Sequence, residues 1–158
     1  MPIVAAVDRS ERAETVVRQA RDLAEAYDLS VHVVHVGEAD VSRVPEGVNT
    51  GMVDDISGPE DLGESSLPHE EIQDARERAT SIAVEVAERY DIDETNAVGL
   101  VGDPASQLLR YGDEVDAEYL VVSTRKRSRV GKALFGSVTQ SLLLNADRPV
   151  VVVGAGTE

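Results

Sequence analysis

AEYLVVSTRKRSRVGKALFGSVTQSLLLNADRPVVVV, residues 117–153, decides the fold. It opens on an apolar run, Tyr119–Val122, passes through a basic segment, turns helical at Gly136 and closes on a second apolar run, Pro149–Val153. Two β-branched strands joined through a helix make a βαβ unit, so they run parallel in one sheet. The helix, Gly136–Ala146, stops short of Pro149 because the residue before a proline is pushed out of the helical region. Ser123–Ser137 carries five of the chain's fifteen basic residues, although the formal net charge is −15. Open α/β sheets take ligands where a loop leaves the carboxyl end of a parallel strand, and a helix start offers free N–H groups to phosphate. A cationic loop in that place points to an anionic ligand.

The same alternation extends to the N-terminus. Ile3–Val7 (IVAAV), Val31–Val36 (VHVVHV) and Ala97–Val101 (AVGLV) are further short apolar runs, giving five strands in all. Their continuous hydrophobicity predicts a sheet covered by helices on both faces. The first helix starts near Ser10 as N-cap and places Ala13, Val16, Val17, Ala20, Leu23, Ala24 and Tyr27 on one stripe. The second, from about Pro68 to Tyr90, repeats Ile72, Ala75, Ala79, Ile82, Ala83, Val86 and Tyr90 at three- and four-residue steps. A third follows Pro104 with Leu108 and Leu109 turned inward. Between strand two and the second helix, Gly37–Leu67 holds five glycines, two prolines, eight acidic residues and one arginine. It reads as a long acidic loop, either solvated or a substrate lid.

At 158 residues the chain suits one domain, 1–158. Acidic residues outnumber basic ones 30 to 15, which argues against nucleic-acid binding. Lys126 and Lys132 are the only lysines, and an acidic surface this poor in lysine suits high salt and a halophilic source. Without cysteine there is no disulfide, thiolate catalysis or cysteine-bound zinc. Ile3–Val7 is too short for a signal-peptide core or a membrane span, so the expected compartment is the cytoplasm, with no membrane partner. His32 and His35 lie three apart in a strand and face opposite sides, and His69 starts a distant helix, so the histidines read as structural and form neither a triad nor a metal site. No nucleophile triad, P-loop or isolated carboxylate pair marks a catalytic residue. A phospho-receiver site fits poorly, since Val153 is followed by Gly154-Ala155-Gly156 and not by a lysine.

With these elements in order, IVAAVDRS, VHVVHV, VGDP and GSVTQSLLLNADRPVVVV together resemble the universal stress protein family over nearly the whole chain. The resemblance implies an open twisted five-stranded parallel sheet of order 3-2-1-4-5, Rossmann-like and of the adenine nucleotide alpha hydrolase type. It also implies a homodimer through strand 149–153, and in one branch of the family ATP at the ends of strands one and four. ATP, ADP or AMP is then the implied ligand, with Mg accompanying ATP and no cofactor essential; turnover is at most slow ATP hydrolysis. The family's pattern places glycines where this chain has Ser123 and Lys126, and keeps its final pair as Gly136-Ser137. Serine and lysine carry a Cβ that keeps backbone from passing close to phosphate. Arg125, Lys126, Arg127 and Arg129 supply charged donors instead, and arginine grips phosphate bidentately.

Carried over residue by residue, the resemblance implies contacts from Ala6, Val7 and Asp8 after strand one, Val36 after strand two, and Val122, Ser123 and Thr124 after strand four. Gly136, Ser137 and Val138 supply the helix start. Gly102, in the turn Gly102-Asp103-Pro104, reads first as the close of strand three and alternatively borders the pocket. Asp8 either holds a base or ribose or caps the turn into helix one, and the basic cluster either grips a phosphate or pairs with the acidic surface. Two functions stay open: a stress-response module that binds a nucleotide or other anion without turnover, and a dimeric protein-interaction module of the branch without ATP.

Overall fold

Strand and helix alternate along the chain as the hydrophobic pattern requires. The computed structural model describes residues 1–37, 69–124 and 136–154. The elements are β1 (Ile3–Ala6), α1 (Arg12–Tyr27), β2 (Val31–Gly37), α2 (His69–Arg89), β3 (Ala97–Val101), α3 (Pro104–Glu114), β4 (Tyr119–Ser123), α4 (Ser137–Asn145) and β5 (Val150–Val153), with a 3-10 turn at Glu94–Asn96. All neighbouring strands pair in parallel in the order β3-β2-β1-β4-β5, as expected. β1 is the central strand, with Ile3 opposite Val31 on one side and Tyr119 on the other.

Strand alternation sorts the core into two layers. Ile3, Ala5, Val33 and Val121 point to one face and meet Val16, Val17 and Ala20 of α1 and Ala83, Val86 and Ala87 of α2. Val4, Val34, Leu120 and Val122 point to the other and meet Leu108 of α3 and Leu142 of α4. Helices α1 and α2 therefore cover one face and α3 and α4 the opposite one.

Element ends depart from the sequence pattern where tertiary contacts decide them. Helix α1 begins at Arg12 with Glu11 as its N-cap, one residue later than a Ser10 cap predicts, and Ser10 gives its own N–H to Asp8 Oδ1 at 2.8 Å. Its hydroxyl still accepts the Arg12 N–H at 3.2 Å. Tyr27, expected on the buried stripe, is 58% exposed. It sits in the last helical turn, before Asp28 reverses the chain at φ 55°, and its ring lies 5.9 Å from that of Tyr119.

His32 shares a 2.8 Å hydrogen bond with the Tyr111 hydroxyl. Burial, helped by the N-terminal ammonium, holds its imidazole below the ordinary value of 6.5. A base whose pKa falls on folding binds fewer protons in the native state, so its stabilising share is complete above the unfolded value and declines as pH drops through it. Urea midpoints measured from about pH 7.5 to about pH 5 are expected to fall further for the wild type than for His32→Gln. Parallel curves would reject the assignment.

Candidate functional site

A cleft opens where the chain leaves β1 and β4. These strands are neighbours, yet the first feeds α1 on one face and α4 follows the second on the other, so the outgoing segments diverge. That divergence is the switch point at which open α/β sheets bind ligands. The cleft has a volume of about 220 Å³. Ala6, Val34, Val36, Val122 and Leu108 give it an apolar lining, and Asp8, Arg12, His35, Ser123 and Thr139 add polar groups.

The rim is held by short local bonds. Asp8 Oδ1 accepts both the N–H and the hydroxyl of Ser10, and Oδ2 faces the Arg12 guanidinium at 3.5 Å. Arg12 also donates to Ser10 Oγ at 3.1 Å and to the Thr124 carbonyl at 3.5 Å. His35 lies 2.8 Å from the Val7 carbonyl through Nδ1. A carbonyl only accepts, so Nδ1 carries the proton. Thr139, buried in the first turn of α4, donates its hydroxyl to the Ser123 carbonyl at 3.2 Å and fastens that turn to the end of β4. Gly136 is the N-cap of α4 at φ −62° and ψ 160°, and as a glycine it brings no side chain of its own to the helix start. The N–H groups of the first turn have no carbonyl within the helix to bond.

Of the residues expected from the sequence, the cleft brings together Ala6, Val7, Asp8, Val36, Val122, Ser123, Gly136 and Val138. Thr124 and Ser137 adjoin it in the chain but do not line it. Gly102 stands apart. Its φ of 137° turns the chain after β3, its N–H bonds the Gly37 carbonyl at 3.1 Å, and it faces Gln107. Asp103 caps α3 by accepting from the Ser106 N–H at 3.1 Å and its hydroxyl at 2.7 Å, and those bonds lower its carboxyl pKa. Pro104, next in the turn, does reach the cleft. Arg125, Lys126, Arg127 and Arg129 lie outside the described residues. Sequence reasoning missed Arg12, Val34, His35, Pro104, Leu108 and Thr139 as lining residues. For Arg12 a signal existed, since it follows Asp8 by one helical turn. Among the described residues no group of three metal-ligating side chains stands together, and no helix is long and apolar enough to cross a membrane.

Comparison with known proteins places this geometry. The model of the universal stress protein family matches residues 1–154. The stress response protein NhaX of Bacillus subtilis (strain 168) is 26% identical over 168 aligned positions, covering 96% of this chain and 96% of the relative. A universal stress protein structure from Archaeoglobus fulgidus is similar at 30% identity and a TM-score of 0.59, over 96% of this chain and 97% of that one. A universal stress protein from the same organism in complex with dAMP is similar at 27% identity and a TM-score of 0.55, over 96% of each chain.

Proposed function

The chain belongs to the universal stress protein family, and from that membership we propose that its β1/β4 cleft binds an adenine nucleotide or a similar phosphate-bearing ligand, acting in a stress response by binding and not by turnover. The observation that carries this reading is an apolar slot opening directly under the start of α4. A volume of about 220 Å³ falls below the roughly 300–1,000 Å³ of sites that enclose a whole ligand. Base and ribose fill such a slot, and the phosphates project past Gly136 to the N–H groups of the first turn. The dAMP complex of the Archaeoglobus relative supports the ligand class. Val36 and Val122 flank the base, Asp8 is within reach of base or ribose, and the basic run Arg125, Lys126, Arg127 and Arg129 supplies charged donors in place of the glycine backbone cradle that Ser123 and Lys126 replace. Mg accompanies ATP. The one carboxylate lining the cleft among the described residues, Asp8, is engaged by Ser10 and Arg12, which fits binding better than activation of water.

Titration with ATP, ADP and AMP at high salt tests the reading. Saturable binding in the micromolar range is expected, and Gly136→Asp should abolish it. Aspartate is a favourable N-cap, so α4 survives the substitution while the phosphates meet a like charge. No saturation at millimolar nucleotide would sink the proposal. That outcome favours the second reading, association of two copies through β5. It draws on the edge position of β5, on the half-buried state of all four of its valines, and on exposed Leu143 and Leu144 in α4.

A further inference from the structure

We propose that Arg12 is the residue by which this cleft reads the charge of its ligand's phosphate, an assignment that rests on the nucleotide reading above and adds a specificity determinant to it. Among the described residues lining the cleft, Arg12 is the only arginine or lysine. Its guanidinium reaches from the start of α1 to the end of β4, and its contacts among the described residues are an ordinary 3.1 Å bond to Ser10 Oγ and two long ones, 3.5 Å to the Thr124 carbonyl and 3.5 Å to Asp8 Oδ2. Charge-assisted bonds in good geometry close to about 2.7–2.9 Å. Among the described residues Arg12 thus has no charge-assisted bond of that length, and a third of its side chain is open to solvent.

Two consequences follow for an anionic ligand, and neither touches the base. A phosphate offers paired oxygens to the guanidinium fork, a better partner than the carbonyl and carboxylate that Arg12 now reaches. Arg12 also neutralises Asp8, which otherwise confronts the phosphate as an uncompensated like charge. Both effects scale with the ligand's charge, so Arg12 sets the preference for a nucleotide over its nucleoside.

The test compares AMP with adenosine, each titrated against the full chain, with adenosine measured directly or by competition with AMP. Arg12→Gln is expected to weaken AMP by about tenfold or more and adenosine by less than about twofold. Arg12→Lys should restore part of the AMP affinity, which a purely structural role of the side chain would not allow. Arg89→Gln, which removes an exposed arginine from α2 that pairs with Glu85, should change neither ligand. Unchanged AMP affinity in Arg12→Gln overturns the assignment, and so does an equal loss for AMP and adenosine, which would mean that Arg12 only shapes the slot. A wild-type chain that binds neither ligand overturns the nucleotide reading itself and this assignment with it. Far-UV circular dichroism of the variants separates each result from unfolding.

Discussion

Gly99→Ala is expected to destabilise the fold by about 3 kcal/mol, toward the upper end of what overpacking a core usually costs. A Cβ built on Gly99 would stand 2.1 Å from the Thr80 backbone nitrogen and 2.5 Å from its Cα. Neither atom can rotate away, so α2 must lift from β3. That helix approaches closely because its inner side is a stripe of alanines: Ala79, Ala83 and Ala87 are buried, and the Ala79 Cβ lies 3.5 Å from where a side chain on Gly37 would begin. Lifting α2 strips this stripe and Val86 from the sheet, and β3, an edge strand, has few other partners to hold it. The urea midpoint of Gly99→Ala should fall well below that of the wild type, and Gly99→Val should fail to fold. An unchanged midpoint for Gly99→Ala would mean that α2 rides farther from the sheet than described.

The same glycine marks how far the sequence could be read. AVGLV is recognisable as a strand, and a glycine inside a strand signals close approach of another backbone. Which backbone it meets depends on the register of α2 against β3, and that is set by packing across the fold. The parallel sheet and its helices were legible because apolar runs and three- and four-residue spacings are local properties. Helix starts were legible only to about a residue: Ser10 has the chemistry of an N-cap and its hydroxyl accepts the Arg12 N–H, while the regular helix begins at Arg12 after Glu11. Tyr27 keeps the spacing of the stripe while the last turn of α1 carries it into solvent.

The candidate site divides in the same way. Strand-end residues such as Ala6, Val36 and Val122 could be placed from the family resemblance, since a strand's end stays put when helices vary. Arg12 and Thr139 enter the cleft through the paths of α1 and α4, which lie on opposite faces of the sheet, and His35 enters it from β2. His35 was read as structural, and its bond to the Val7 carbonyl is that role, yet its ring also borders the cleft. Of the turn Gly102-Asp103-Pro104, which reads first as the close of strand three, Gly102 faces Gln107 while Pro104 borders the cleft.

Leu142→Ala should cost about 2–5 kcal/mol and also weaken the ligand, which makes it the substitution that joins core to cleft. Helix α4 has only nine residues, too few to persist on propensity alone, so packing must hold it. Leu142 is fully buried among Val4, Leu108, Leu120 and Val122, whereas Leu143 and Leu144 are 46% and 77% exposed. Removing that one side chain leaves the packing of Val138 and the 3.2 Å bond from Thr139 to the Ser123 carbonyl to tie the first turn of α4 to the sheet. The first turn is the part that brings Gly136 and Val138 to the cleft, so its loosening reduces the fraction of molecules with phosphate-binding N–H groups in place. Leu143→Ala, at the exposed neighbour, should stay within about 0.5 kcal/mol of the wild type and bind AMP unchanged. Denaturant unfolding and AMP titration of both variants decide the matter. A Leu142→Ala protein that loses stability but keeps its full AMP affinity would show that the start of α4 is not where the phosphates rest.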